Sequence, residues 1–175
     1  MTADDYFSDR SHVLALAAAC TNWLGTPFRA RSVVRGPGGG VDCAGFVGAV
    51  FAEIGAIPLA VAVPPYEVNH AEHSDQSLLR AWFELPAVRV RVRRVDEGEE
   101  HLDGDLVFPR VGRCEHHLGI RIGALVWHVA RPSGVCAMTL AQLQLAPSRY
   151  RLLEEAPSPA SSSSSQFPTS SASSP

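Results

Sequence analysis

The stretch Gly36-Pro37-Gly38-Gly39-Gly40-Val41-Asp42-Cys43-Ala44-Gly45-Phe46-Val47-Gly48-Ala49-Val50-Phe51 decides how this chain folds. Its glycines predict a flexible loop, and the apolar residues after it predict a helix over Cys43–Ile54 that Gly55 ends. Asp42 is placed to cap the first turn of that helix. The thiol would then lie near unpaired N–H groups at the positive end of the helix dipole, a position that lowers a thiol pKa.

A reactive cysteine needs a base, and the candidates are the downstream histidines His116 and His117, with His128 as a third polar group. If Gly123-Ala124 forms a two-residue hairpin turn, Gly119 lies opposite His128. His117 and His128 then share one face of the sheet, and His116 points to the other face. A β-bulge would shift this register and favour His116 as the base.

Composition limits the class of protein. With 175 residues, 46% of them hydrophobic, the chain has room for one domain with a real core. A net charge of -3 gives no electrostatic case for nucleic acid as a partner. Four scattered cysteines are too few for a disulfide scaffold and predict reduced thiols. The acidic start and the short apolar run Val13–Cys20 predict a first helix, with no signal peptide and no membrane span.

The chain divides into a folded domain over residues 1–155 and a tail over residues 156–175. The tail is rich in Ser, Pro and Ala, and includes five consecutive serines at 161–165. Such a segment cannot bury enough apolar surface to offset the entropy of ordering it, so we expect it to be disordered.

Hydrophobic periodicity predicts helices first and strands second. Helices are expected over Ser11–Leu24 and Gln76–Phe83, beside the one at Cys43. After Pro86 a period of two appears, in which valines alternate with arginines that form a solvated strand face, Arg89, Arg91 and Arg93. Further strands are predicted at Asp105–Phe108, Leu118–Ile122, Leu125–Val129, Val135–Met138 and Tyr150–Leu153. The expected fold is α+β, with N-terminal helices packed on a small, curved antiparallel sheet in meander order.

At this point the residues resemble a known family, the NlpC-type cell-wall cysteine peptidases, whose core is papain-like. The motifs that carry the resemblance, in family order, are Leu24-Gly25-Thr26-Pro27-Phe28, Val41-Asp42-Cys43-Ala44-Gly45-Phe46-Val47, Gly104-Asp105-Leu106-Val107-Phe108, His117-Leu118-Gly119-Ile120 and Trp127-His128-Val129. The branch it resembles most is encoded in phage and prophage tail clusters, where a short basic turn, here Arg110–Arg113, precedes the histidine motif.

The resemblance implies Cys43 as nucleophile, His117 as base and His128 as the residue that orients it. The implied reaction is hydrolysis of the amide between D-glutamate and a diamino acid in peptidoglycan stem peptides, without a cofactor or metal. Implied substrate contacts are Asp42 and Phe28, the latter standing where many members have a tyrosine. Tyr66, in a long connection after Pro64-Pro65, is a further candidate for the substrate cleft.

The resemblance also implies a product that remains in the cytoplasm before assembly and associates with phage tail proteins. Ala44 departs from the family pattern, since a serine frequently follows the nucleophile.

Other interpretations of the same residues stay open. Cys43 could be a small buried residue and His128 a satisfied core histidine. Cys114 with its neighbouring histidines has a spacing that matches none of the common zinc patterns. Cys20 and Cys136 are predicted to be packing residues. The alternative functions are a structural tail-tip component with weak or lost activity, and an acyltransferase or amidase that uses the same Cys and His.

Overall fold

The computed structural model describes residues 4–58, 70–143 and 148–154. The predicted domain boundary at 155, the tail at 156–175 and Tyr66 lie outside the described residues.

Five α-helices are found in the described part of the chain. A 3-10 turn at Tyr6–Ser8 precedes the first. They are α1 (Arg10–Asn22), α2 (Cys43–Glu53), α3 (His70–His73), α4 (Leu78–Phe83) and α5 (Pro86–Arg89). The helices predicted at Ser11, Cys43 and Gln76 are confirmed to within a few residues at each end. Side-chain caps account for the starts: Asp9 caps α1, Asp42 caps α2 and Ser77 caps α4. None of the described helices is long and apolar enough to cross a membrane.

The described strands form two antiparallel sheets. The small sheet pairs β1 (Val33–Val34) with β2 (Gly40–Val41), and the glycine turn joins them. The large sheet has the order β3-β8-β4-β5-β6-β7. Its strands are β3 (Val92–Arg94), β4 (Leu106–Phe108), β5 (Gly119–Ile122), β6 (Leu125–Ala130), β7 (Gly134–Thr139) and β8 (Ser148–Leu152).

The α+β class predicted from the sequence is confirmed. The first two helices pack on each other, and α2 lies across β5 and β6. Buried aromatic and aliphatic side chains of α2, among them Phe46 and Val50, fill the space between this helix and the sheet. A second aromatic group, Phe83 with Phe108 and Tyr150, fixes α4 to the sheet.

The meander prediction is only partly right. Strands β4 to β7 follow one another in space as they do in sequence, but β8 inserts between β3 and β4 and pairs with both. The connection that brings the last strand back to the middle of the sheet leaves no local signal in the sequence.

The prediction of a strand after Pro86 is also wrong for the first half of that segment. Pro86 takes the first position of the short helix α5, where its missing N–H costs nothing, and only Val92–Arg94 are extended. The arginines are not a solvated face either. Arg91 donates to the Ala56 carbonyl at 2.9 Å, and Arg93 forms ion pairs with Asp5 and Glu99 at 3.0 and 2.6 Å.

A buried ion network closes the sheet around β8. Arg151 is 3% exposed and binds Asp105, which is fully buried, at 2.7 Å. The same guanidinium reaches Asp5 at 3.2 Å and Glu99 at 2.9 Å, so it joins the N-terminal segment and a loop to β8. Hydrogen bonding from Arg93 lowers the pKa of Glu99 to about 2, which keeps this carboxylate charged at neutral pH.

We expect Asp105→Asn to lower the free energy of unfolding by about 3 kcal/mol, because it removes a buried countercharge from Arg151. Asp75→Asn is the matched control: it breaks an exposed pair with Arg113 at 2.9 Å and should cost less than about 1 kcal/mol. Urea unfolding of both variants measures the difference. Equal losses in the two variants would contradict a structural role for the buried network.

Candidate active site

Asp42 fixes the start of α2 and with it the position of Cys43. One carboxylate oxygen, Oδ1, accepts the Gly45 amide at 2.7 Å, and the other, Oδ2, accepts the Arg31 amide at 2.7 Å. The Phe46 amide donates to the Asp42 carbonyl at 2.9 Å. Both carboxylate oxygens are therefore engaged within the fold, and the side chain acts as a helix cap. Its predicted contact with substrate stays a prediction.

The sulfur of Cys43 faces backbone amides from two elements. The cap uses the amides of Gly45 and Phe46, and those of Cys43 and Ala44 lie near the sulfur. The amide of Leu118 lies near it as well. Because Leu118 follows His117 in the chain, this contact brings the thiol beside the histidine motif.

His117 and His128 form a direct hydrogen bond. His117 Nε2 lies 2.9 Å from His128 Nδ1, with the rings nearly perpendicular at 84°. The predicted hairpin register is confirmed, since Ile122 pairs with Leu125 and Gly119 with His128. This bond leaves Nδ1 of His117 as the ring nitrogen available to a thiol.

Gly119 permits this close approach between β5 and β6. A Cβ atom at this position would lie 2.6 Å from Val126 Cγ1 and 3.4 Å from the Cβ of His128. Any larger residue would push β6 away and shift His128 relative to His117.

His116 has a different environment. Its ring centroid lies 5.0 Å from that of His70, at the end of the long connection. The bond to His128, on β6, gives His117 an orienting partner. Among the described residues, no group of three or more His, Cys, Asp or Glu side chains is arranged to hold a metal ion.

The loop before the glycine turn is bound both to that turn and to β7, the edge strand of the large sheet. Thr26 is fully buried, accepts the Gly36 amide on its hydroxyl at 3.0 Å and accepts the Val135 amide on its carbonyl at 2.8 Å. Phe28 follows, half-buried, and bridges to Val41.

The Phe28 ring lies under the guanidinium of Arg131, whose Cζ is 4.3 Å from the ring centroid. The predicted contact of Phe28 with substrate stays a prediction, as does that of Tyr66.

At rest the Cys43 thiol and the His117 imidazole are both uncharged, which corrects the expectation of a lowered thiol pKa. Burial is the main reason that the pKa of the Cys43 thiol rises from 9.0 to about 12, and the Asp42 carboxylate adds to the increase. The nearby amides favour the thiolate but do not outweigh these effects. Burial, with the neighbouring His128 and His116, lowers the pKa of His117 to about 3.

One contact in this site was not predicted from the sequence. Cys136 of β7, predicted to be a packing residue, places its sulfur 3.6 Å from Nε2 of His128. Cys20, by contrast, is fully buried in the core. The spacing of eight residues between His128 and Cys136 could have indicated the contact only if the β6–β7 register had been known.

No family model matches the sequence, and no curated protein is detectably related to it. Its structure is similar to the crystal structure of a lipoprotein-like protein of the NLP/P60 family from Staphylococcus aureus, with a TM-score of 0.54 and 17% sequence identity. The likeness covers 89% of this chain and 45% of that one, so the chain spans less than half of its neighbour's length. The α+β fold is therefore of the NLP/P60 type.

We expect the Cys43 thiol to remain protonated throughout the neutral range. In protein labelled with ¹³C at Cys Cβ, the Cys43 signal should stay at its thiol position from about pH 6 to about pH 9. Cys43→Ser identifies the signal by its loss. Titration of this signal below pH 7 would show a resting thiolate and would contradict a raised pKa of the Cys43 thiol.

The lowered pKa of His117 predicts acid sensitivity. Between its ordinary pKa of 6.5 and about 3, the unfolded chain binds a proton here that the folded chain does not, so stability falls as pH falls through this window. His117→Gln should therefore lose less stability than the wild type between these pH values. His73→Gln, at an exposed histidine, is the control and should behave like the wild type in urea unfolding.

Proposed function

We propose that the protein is a cysteine peptidase of the NlpC/P60 family, with residues 1–155 as its catalytic domain. The proposed reaction is hydrolysis of the amide between D-glutamate and a diamino acid in peptidoglycan stem peptides. The observation that carries the proposal is the hydrogen bond between His117 and His128 beside the capped helix start that holds Cys43. A thiol, an imidazole and a group that orients the imidazole are the parts that nucleophilic catalysis requires.

Because the Cys43 thiol and the His117 imidazole are both uncharged at rest, the proton of the thiol has to move during the first step. As Sγ of Cys43 attacks the amide carbonyl, its proton moves to Nδ1 of His117, and the C–S bond forms while the carbonyl electrons move onto oxygen. The amides of Cys43 and Ala44, which the Asp42 cap leaves available, are suited to stabilise that oxyanion.

The remaining steps return the site to its starting state. The tetrahedral intermediate collapses, the C–N bond breaks, and the imidazolium of His117 gives its proton to the leaving amine. A water then attacks the thioester, with His117 taking its proton. The C–S bond breaks, the acid product leaves, and the proton returns to the Cys43 sulfur.

The direct test is mass spectrometry of purified muropeptides incubated with the protein and its variants. The wild type should cleave at the D-glutamyl-diamino-acid bond, and Cys43→Ala should abolish cleavage. His117→Gln should lower kcat by about 10³-fold or more, because the thiol loses its base.

His116→Gln is the matched control and should retain most of the activity, since the structure places His116 beside His70. Loss of activity in His116→Gln with retention in His117→Gln would reverse the assignment of the base. Absence of cleavage by the wild type would contradict the proposed substrate.

We propose in addition that the protein is assembled from the cytoplasm into a phage or prophage tail. The support is the sequence resemblance, in which a glycine-rich segment leads directly into the nucleophile motif and the basic turn Arg110–Arg113 precedes the histidines. Phage-like particles purified from a producing strain should contain the protein in a fixed ratio to tail proteins. A protein found only outside such particles would contradict this placement.

A further inference from the structure

Three side chains form one line of hydrogen bonds across the sheet. Cys136 of β7 pairs directly with His128 of β6, so the two side chains share a face. The Cys136 sulfur lies 3.6 Å from His128 Nε2, and His128 Nδ1 lies 2.9 Å from His117 Nε2. Each ring nitrogen of His128 therefore has one partner, and the proton on one fixes the role of the other.

The hydrogen bonds along this line can run in either of two directions. Only one of them leaves Nδ1 of His117 without a proton, so that His117 can act as a base. If His117 carries its proton on Nε2, it donates to His128 Nδ1, and its own Nδ1 is free to take the proton of Cys43. His128 must then carry its proton on Nε2, and that N–H needs an acceptor. In the opposite direction, Cys136 donates its S–H to His128, His128 donates to His117, and Nδ1 of His117 carries a proton towards the thiol.

The surroundings of Cys136 favour the direction in which His128 Nε2 donates to the Cys136 sulfur and His117 can act as a base. The backbone amide of Ala130, at the end of β6, also lies near its sulfur as a hydrogen-bond donor. A sulfur that already accepts from this amide has its S–H directed elsewhere and can accept from a second donor, which is the role that a protonated His128 Nε2 needs. The Cys136 sulfur is thus available as the hydrogen-bond acceptor for His128 Nε2.

We propose that Cys136 is a positioning residue that holds His128 in the tautomer protonated on Nε2 and thereby keeps Nδ1 of His117 free to accept the proton of Cys43. This inference rests on the proposed function for its effect on catalysis. The tautomer itself is a property of the free protein and can be measured without substrate.

The experiment is ¹⁵N NMR of the histidine rings in the full chain, since the shifts distinguish a protonated ring nitrogen from a bare one. The wild type should show His128 protonated on Nε2. Cys136→Ser keeps an acceptor and should preserve that tautomer, whereas Cys136→Val removes it and should give a mixture. Cys136→Ala serves the same purpose if the valine variant does not fold, and Cys20→Ala controls for the loss of a buried thiol.

Kinetics supply the second readout. With muropeptide substrate, Cys136→Val should lower kcat by about 10-fold to 100-fold with little change in KM, and Cys136→Ser should restore much of it. A wild-type His128 protonated on Nδ1, or an unchanged tautomer in both Cys136→Val and Cys136→Ala, would overturn the inference. If the wild type cleaves no muropeptide, the proposed function fails, yet the NMR result still decides the role of Cys136.

Discussion

The site depends on the buried carboxylate of Asp42. By accepting one amide from its own helix and one from the loop at Arg31, it fixes both the start of α2 and the segment that passes in front of it. Cys43, the proposed nucleophile, occupies the next position, so its sulfur is placed by this cap. The same negative charge opposes formation of the Cys43 thiolate. The carboxylate that positions the Cys43 sulfur therefore also raises the pKa of the Cys43 thiol.

Because the thiol stays protonated at rest, the proposed mechanism needs a histidine that accepts its proton as much as it needs the cysteine. A thiol whose pKa is about 12 contributes almost no thiolate at neutral pH, so the proton has to leave as the sulfur attacks. A buried His117 with a pKa of about 3 is a weak resting base for the same physical reason, desolvation. The proposed catalysis therefore depends on alignment of the thiol and the imidazole, and the strand pairing that places His128 against His117 holds the imidazole in position.

Local signals in the sequence predicted most of this arrangement. The cap at Asp42 and the helix behind it follow from side-chain chemistry within a few residues, and a two-residue turn sets the register that joins Gly119 to His128. Features that depend on distant partners were not predictable. Burial reversed the expected pKa shift of Cys43. The return of β8 to a place beside β3 brought Arg93 into ion pairs shared with Arg151, and Cys136 met His128 only through the β6–β7 pairing.

The buried ion pairs and the line of His117, His128 and Cys136 lie on different strands of the sheet. Ion pairs of Arg151 and Arg93 lie on β8 and β3, whereas the line from His117 to Cys136 crosses β6 and β7 at the other side. Consistent with this separation, the charges that act on His117 are those of its histidine neighbours, and no arginine contributes to its lowered pKa. An arginine close to the histidines would disfavour the imidazolium further. The ion pairs of Arg151 and Arg93 therefore stabilise the sheet without lowering the pKa of His117 further.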